Sequence, residues 1–185
     1  MNKVIEKRMV EIADREIENF AKEWKRNPYL WESETDVHSE LYIRIKKSLQ
    51  KFPLKECRYK GMKNKAEFDW IYCKPKTYIK RANYPDIVIY KYSGKEQNIG
   101  DKENDLMLWI CEIKYATDWS SSLSSETIKN DIEKLKWFLN TKKGGSKYAR
   151  YLILRRYVRP SKNVEKVIND IDKRIHLYHY GVDRN

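Results

Sequence analysis

Two carboxylates and a lysine are the residues of this chain whose types and spacing point to chemistry. Asp86 opens a short β-branched run, Asp86-Ile87-Val88-Ile89-Tyr90, directly after Pro85. Glu112 and Lys114 follow the most apolar run, Leu106-Met107-Leu108-Trp109-Ile110-Cys111. Under strict alternation Leu106, Leu108, Ile110, Glu112 and Lys114 share one face of a strand, and Met107, Trp109, Cys111 and Ile113 share the other. Burying an ionised group without a partner is costly, so Glu112 and Lys114 are expected at the strand's mouth, beside a partner or an ion. Antiparallel pairing of the two runs through the polar loop between them would bring Asp86 next to Glu112. Adjacent carboxylates repel unless a cation lies between them, and oxygen ligands with room for water suit Mg²⁺ or Mn²⁺. Such an ion polarises a phosphoryl oxygen and lowers the pKa of a bound water, while a nearby lysine orients the water or stabilises developing charge. The chemistry expected of the group is phosphodiester hydrolysis.

These residues need a scaffold, and the hydrophobic pattern supplies one. From Asn2 to about Arg26, Ile5, Met9, Ile12, Ile17, Phe20 and Trp24 recur at helical spacing, and Asn27-Pro28 stops the helix. Ser33-Glu34-Thr35-Asp36 resembles a capping box with Ser33 as N-cap. The helix it opens carries the stripe Val37, Leu41, Ile45, Leu49 and Phe52 and ends at Pro53. Strands are expected at Cys57 to Lys60 and near Phe68 to Cys73, with loop or edge around Pro75. The run before Glu112 is apolar on both faces, which predicts a central, fully covered strand. Ser124 or Ser125 caps a helix from about Glu126 to Leu139, with Ile128, Ile132, Leu135 and Leu139 inward, ended by Lys142-Lys143-Gly144-Gly145. A strand from Tyr148 to Tyr157, a helix from Val164 to Asp172 and a strand from Ile175 to Tyr180 complete the chain. This order predicts an α/β sheet covered by helices.

The whole-chain numbers agree. The 185 residues, 41% of them hydrophobic and including 6 Trp, 14 Tyr and 4 Phe, suit one domain with a packed core. Only 6 Gly and 5 Pro exclude a collagen-like or low-complexity chain. Three cysteines, Cys57, Cys73 and Cys111, have neither disulfide nor zinc spacing and are expected reduced. No apolar stretch approaches the roughly 20 residues that span a bilayer, and the charged start lacks a signal-peptide core, so a cytoplasmic protein without a membrane partner is expected. With 39 Lys and Arg against 27 Asp and Glu, the net charge of +12 draws the chain to polyanions, of which nucleic acid is the commonest in cells.

Pro85-Asp86 followed 26 residues later by Glu112-Ile113-Lys114, each after or within an apolar strand and the second before a helix, resembles the PD-(D/E)XK nuclease superfamily. The resemblance spans roughly Glu34 to Tyr157, or on to Tyr180, and leaves the first helix unexplained. It implies a restriction-endonuclease-like three-layer αβα core with a mixed central sheet over residues 33–185, while the chain length sets residues 1–32 apart as a helical extension. It further implies a Mg²⁺-dependent or Mn²⁺-dependent deoxyribonuclease in which Asp86, Glu112 and the Ile113 carbonyl are metal ligands and Lys114 assists the attacking water. A helix glutamate often completes such a site; Glu40, bordering the buried stripe, is favoured over Glu34, which sits in the first turn where it complements the helix dipole. No Gln-x-x-x-Tyr follows Lys114, so the exonuclease branch carrying that motif is a poor match. The alternatives are a non-catalytic nucleic-acid-binding or assembly protein on the same fold, and a junction-resolving homodimer.

Asp131 and Lys134 either face the site from the following helix or form an i,i+3 pair on a solvated face, the reading preferred from sequence. His38 lies near the start of the second helix, within reach of the site, whereas His176 and His179 fall on the last strand. Tyr78, Tyr84 and Tyr115 are candidates for base stacking. Lys46-Lys47, Lys74 to Arg81, Lys142-Lys143 and Arg155-Arg156 together suggest a phosphate-binding surface.

Overall fold

Among the described residues the apolar periodicities become four helices and a mixed sheet. A computed structural model describes residues 3–52, 55–58, 65–68, 71–73, 85–90, 107–117, 123–141 and 145–183. Its elements are α1 (Lys3–Arg26), α2 (Glu34–Leu49), β1 (Lys55–Arg58), β2 (Lys65–Phe68), β3 (Ile71–Cys73), β4 (Ile87–Tyr90), β5 (Met107–Thr117), α3 (Ser125–Asn140), β6 (Ser146–Arg156), α4 (Lys162–Asn169) and β7 (Ile175–Val182). The four strands β4 to β7 lie side by side in chain order, with β3 added outside β4. β4 and β5 are antiparallel, while β6 and β7 run parallel to β5. β1 and β2 pair separately as a hairpin. The single strand expected from Phe68 to Cys73 is thus two, β2 and β3, which belong to different sheets.

Helices cover both faces of the sheet. Met9, Ile17, Phe20 and Trp24 of α1 and Val37, Leu41 and Ile45 of α2 pack with Ile87, Ile89, Trp109, Cys111 and Ile113. On the other face Ile128, Ile132, Leu135 and Phe138 of α3 and Val164 and Ile168 of α4 pack with Val88, Ile110, Tyr151 and Ile153. Phe138, not Leu139, is the buried residue of the last turn of α3. Each large apolar side chain buried in these clusters contributes about 2 kcal/mol. The N-terminal helix, set off by sequence as an extension, therefore shares a core with the sheet. Among the described residues no helix is long and apolar enough to cross a membrane.

Strict alternation along β5 fails at one place. Met107 joins Val88 and Ile110 in one cluster, while Leu108 joins Trp109 and Cys111 in the other. Pairing steps from Ile89↔Trp109 to Tyr90↔Met107, an irregularity that passes over Leu108 and inverts the strand's phase. Glu112 and Lys114 keep the face of Ile110 because they lie beyond it.

The starts of α2 and α3 are built as the sequence implied. Ser33 accepts from the Asp36 amide while Asp36 accepts from the Ser33 amide, a complete capping box. Ser124 caps α3 and Ser161 caps α4. Gly145 follows α3 so closely that a Cβ there would strike the carbonyl oxygens of Thr141 and Phe138.

Candidate active site

β5 outruns β4, and the site lies where they part. Pairing of the two strands ends at Ile87↔Cys111, whereas β5 continues against β6 to Thr117↔Arg156. Glu112 and Lys114 are therefore inside a strand, not at its mouth as expected, because β6 holds the backbone on the other side. On the edge that β4 leaves, carboxylates replace the strand. The Ile113 amide donates to Asp86 Oδ2 at 2.8 Å, and the Tyr115 amide donates to Glu34 Oε2 at 3.3 Å. An extended residue presents its amide and carbonyl to the same side, so the Ile113 carbonyl opens onto this edge as well.

α2 fixes both acids. The capping box sets its first turn, which carries Glu34, and one turn later His38 Nε2 donates to the backbone carbonyl of Asp86 at 2.6 Å. Glu40 is not brought to the site. It accepts from Arg44 Nε at 2.7 Å, and Arg44 also reaches Glu23 of α1 at 2.8 Å, so Glu40 faces the α1 seam. Glu34 is the glutamate beside Lys114, at 3.4 Å. The Glu34, His38, Leu41 and Ile45 spacing of four, three and four was the available signal; the dipole argument for Glu34 concealed it.

α3 supplies the opposite wall. Lys134 Nζ lies 2.5 Å from Glu112 Oε1 and 3.8 Å from Asp131 Oδ1. Asp131 Oδ2 accepts from the Tyr151 hydroxyl at 2.9 Å and stands 3.7 Å from Lys114 Nζ. Asp131 and Lys134 thus face the site, not solvent. Their signal was position: Asp131 is three residues after Ile128 and four before Leu135, and Lys134 is four before Phe138, all buried. Tyr151, paired in register with Glu112, was missed because a core tyrosine has no sequence mark of its own.

The electrostatics follow from burial. Desolvation, reinforced by the charge of Asp86 and opposed by Lys134, pushes the Glu112 carboxyl well above the usual glutamate range. Asp86 is raised by desolvation too, against the Ile113 amide and the charges of His38 and Lys134. Burial alone would lower Lys114, but Asp131, Glu34 and Glu112 outweigh it and hold its ammonium above the ordinary lysine value. Desolvation and Asp131 drive the Tyr151 hydroxyl far up, so it stays a proton donor.

Among the described residues no three His, Cys, Asp or Glu side chains form a ready metal cage. The donors nonetheless suit a hard cation. Glu112 is only 4% exposed, and its Oε2 is buried without a hydrogen-bond partner. The neighbouring Asp86 carboxylate faces the same edge as the Ile113 carbonyl, and carboxylate and carbonyl oxygens are what Mg²⁺ or Mn²⁺ takes.

Other candidates resolve differently. Tyr115 is buried and donates to the Trp31 carbonyl at 2.7 Å, so it is a structural residue and not a stacking one. Arg156 is buried against the Pro28 carbonyl, and Arg155 is bound to His179, the Val158 carbonyl and Asp183, which removes this pair from the proposed phosphate surface. Cys111 is a free, buried thiol. Tyr78, Tyr84, Lys74 to Arg81 and Lys142-Lys143 lie outside the described residues, as do the side chains of Cys57 and Cys73. Comparison of the chain with family models, with curated proteins and with solved structures finds no match.

Proposed function

We propose that the chain is a metal-dependent nuclease that hydrolyses phosphodiester bonds in DNA, on a restriction-endonuclease-like three-layer αβα domain. The observation that carries this reading is the seating of Asp86 on the Ile113 amide, between Glu112 and Lys114 in the strand, at the parting of β4 and β5, with one Glu112 oxygen buried and unsatisfied. The fold reading draws support from helices on both sheet faces and from an antiparallel pair followed, through α3, by a parallel strand.

Asp86, Glu112 and the Ile113 carbonyl would hold Mg²⁺ or Mn²⁺, with Glu34 taking the part first given to Glu40. A bound ion would neutralise the acid pair and polarise the scissile phosphate. The remaining work falls to the protein's own groups. Lys114 stays charged at neutral pH, so it orients the attacking water and stabilises charge developing on the phosphate, and does not act as a base. Glu34 and Asp131 fix its direction from two sides. The Ile113 amide and His38 immobilise Asp86.

The test is a Mg²⁺ titration of cleavage on plasmid, linear and branched DNA, with Asp86→Ala and Lys114→Ala beside the wild type. Both variants are expected to lose cleavage by about 10²-fold or more; unchanged cleavage by both overturns the assignment. A second reading, nucleic-acid binding without hydrolysis, is favoured by the Lys134–Glu112 pair, which neutralises Glu112 from within the protein. Tight DNA binding with no divalent-ion binding would select it.

A further inference from the structure

Among the described residues, Lys134 is a charged wall residue that this nuclease reading leaves unused. Its ammonium sits on one oxygen of Glu112, and the other oxygen, Oε2, is buried and unsatisfied. The same ammonium is within 3.8 Å of Asp131 Oδ1, while Asp131's second oxygen is engaged by Tyr151. Lysine is a compact charge on a flexible four-carbon stem, so transfer between two carboxylates this close needs only side-chain rotation. Among the described residues four carboxylates, Glu34, Asp86, Glu112 and Asp131, face two ammonium groups, Lys114 and Lys134, with His38 held on the Asp86 carbonyl.

We infer that Lys134 is a tethered counter-ion for Glu112 in the metal-free protein, and that a divalent cation takes Glu112 over from it while the ammonium passes to Asp131. The inference rests on the reading of Glu112 as a metal ligand. An ammonium and a divalent ion repel strongly at a shared, desolvated carboxylate, so both do not occupy Glu112 together. Asp131 is the positioning residue of the exchange: it receives the displaced charge, which would otherwise be stranded in a partly buried wall. The pair therefore lowers affinity for the ion while keeping the acid group compensated in its absence.

The experiment is calorimetric titration of the full chain with Mn²⁺ at neutral pH, without nucleic acid, for wild type, Lys134→Gln, Lys134→Arg and Glu112→Gln, each checked for folding by circular dichroism. Lys134→Gln is expected to bind about tenfold more tightly than wild type, since one unit charge is removed from within a few ångströms of the ion. Lys134→Arg, which keeps the charge, should bind no more tightly than wild type, and Glu112→Gln should lose binding. Equal or weaker binding by Lys134→Gln, with Glu112→Gln still inactive in binding, overturns the exchange and leaves Glu112 a ligand. No binding by wild type and Lys134→Gln alike overturns the exchange together with the metal-site reading. Where Lys134→Gln does not fold, the side-chain nitrogen resonance of Lys134 in ¹⁵N-lysine-labelled wild type decides: a shift on saturation with Mg²⁺ supports the exchange, and an unmoved resonance overturns it.

Discussion

Glu34 and Glu40 occupy one helix six residues apart, and the structure separates their roles by rotation alone. Glu34 touches Lys114 and the Tyr115 amide, whereas Glu40 is spent on Arg44 at the α1 seam. Glu34→Gln should lower Mg²⁺-dependent cleavage by about 10²-fold, and Glu40→Gln should leave it within about twofold, both read as initial rates. The buried acids also predict a pH signature. Glu112 and Asp86 have folded pKa values above their unfolded ones, so folding takes up protons as pH rises past the usual carboxylate range. Metal-free stability therefore falls as pH rises from there up to the raised folded values. Urea melts in EDTA from about pH 5 to about pH 8 should show Glu112→Gln gaining on wild type as pH rises, with Mg²⁺ closing the gap at neutral pH. A gap independent of pH would refute the assignment of a raised carboxyl to Glu112.

At the scale of elements, α1 is a structural cover for the sheet. Beyond its apolar stripe, Asp14 accepts from Arg150 Nε at 2.7 Å and Nη2 at 2.6 Å, and from the Trp109 indole at 3.0 Å, tying the helix to β5 and β6. Arg150 is 7% exposed, so removing its partner leaves a buried charge uncompensated. Asp14→Ala should cost about 3 kcal/mol in urea unfolding, and a loss under about 1 kcal/mol would show the helix to be weakly coupled. The helix stripes, the caps at Ser33 and Ser124 and the pairing of Asp86's strand with Glu112's were legible because spacing and capping chemistry are local. What escaped depends on a partner's position. The end of β5 was misplaced because β6, distant in sequence, carries it six residues past Cys111. Leu108 changed face because the irregular pairing with β4 shifts the strand's phase. Glu34, Asp131 and Lys134 required knowing which side of their helices meets the sheet, and periodicity places a side chain about the axis without saying what lies opposite.

For the molecule as a whole, the surplus of +12 is distributed unevenly, since several cations are consumed internally. Arg44, Arg150, Arg155 and Arg156 bind acids or carbonyls of the fold, while Glu34, Asp86, Glu112 and Asp131 gather around two lysines. Among the described residues a phosphate approaching the site therefore meets more carboxylates than ammonium groups in a basic protein, while the long-range field favours association. This opposition fixes how binding should respond to ions of different valence. Monovalent salt screens the field and lowers the entropy gained by each released counterion, so log affinity for duplex DNA should fall linearly with log salt, by about 10³-fold between 50 and 200 mM if about six phosphates are contacted. A divalent ion acts at the pocket as well. In Lys114→Ala, kept inert by that substitution, Ca²⁺ at constant ionic strength should tighten DNA binding relative to EDTA. Adding Asp86→Asn and Glu112→Gln should give the tighter binding in EDTA already and abolish the Ca²⁺ response. Equal affinity of Lys114→Ala in Ca²⁺ and EDTA would mean that the nucleic acid does not pass over Asp86 and Glu112, and the basic surface would then serve a different face of the protein.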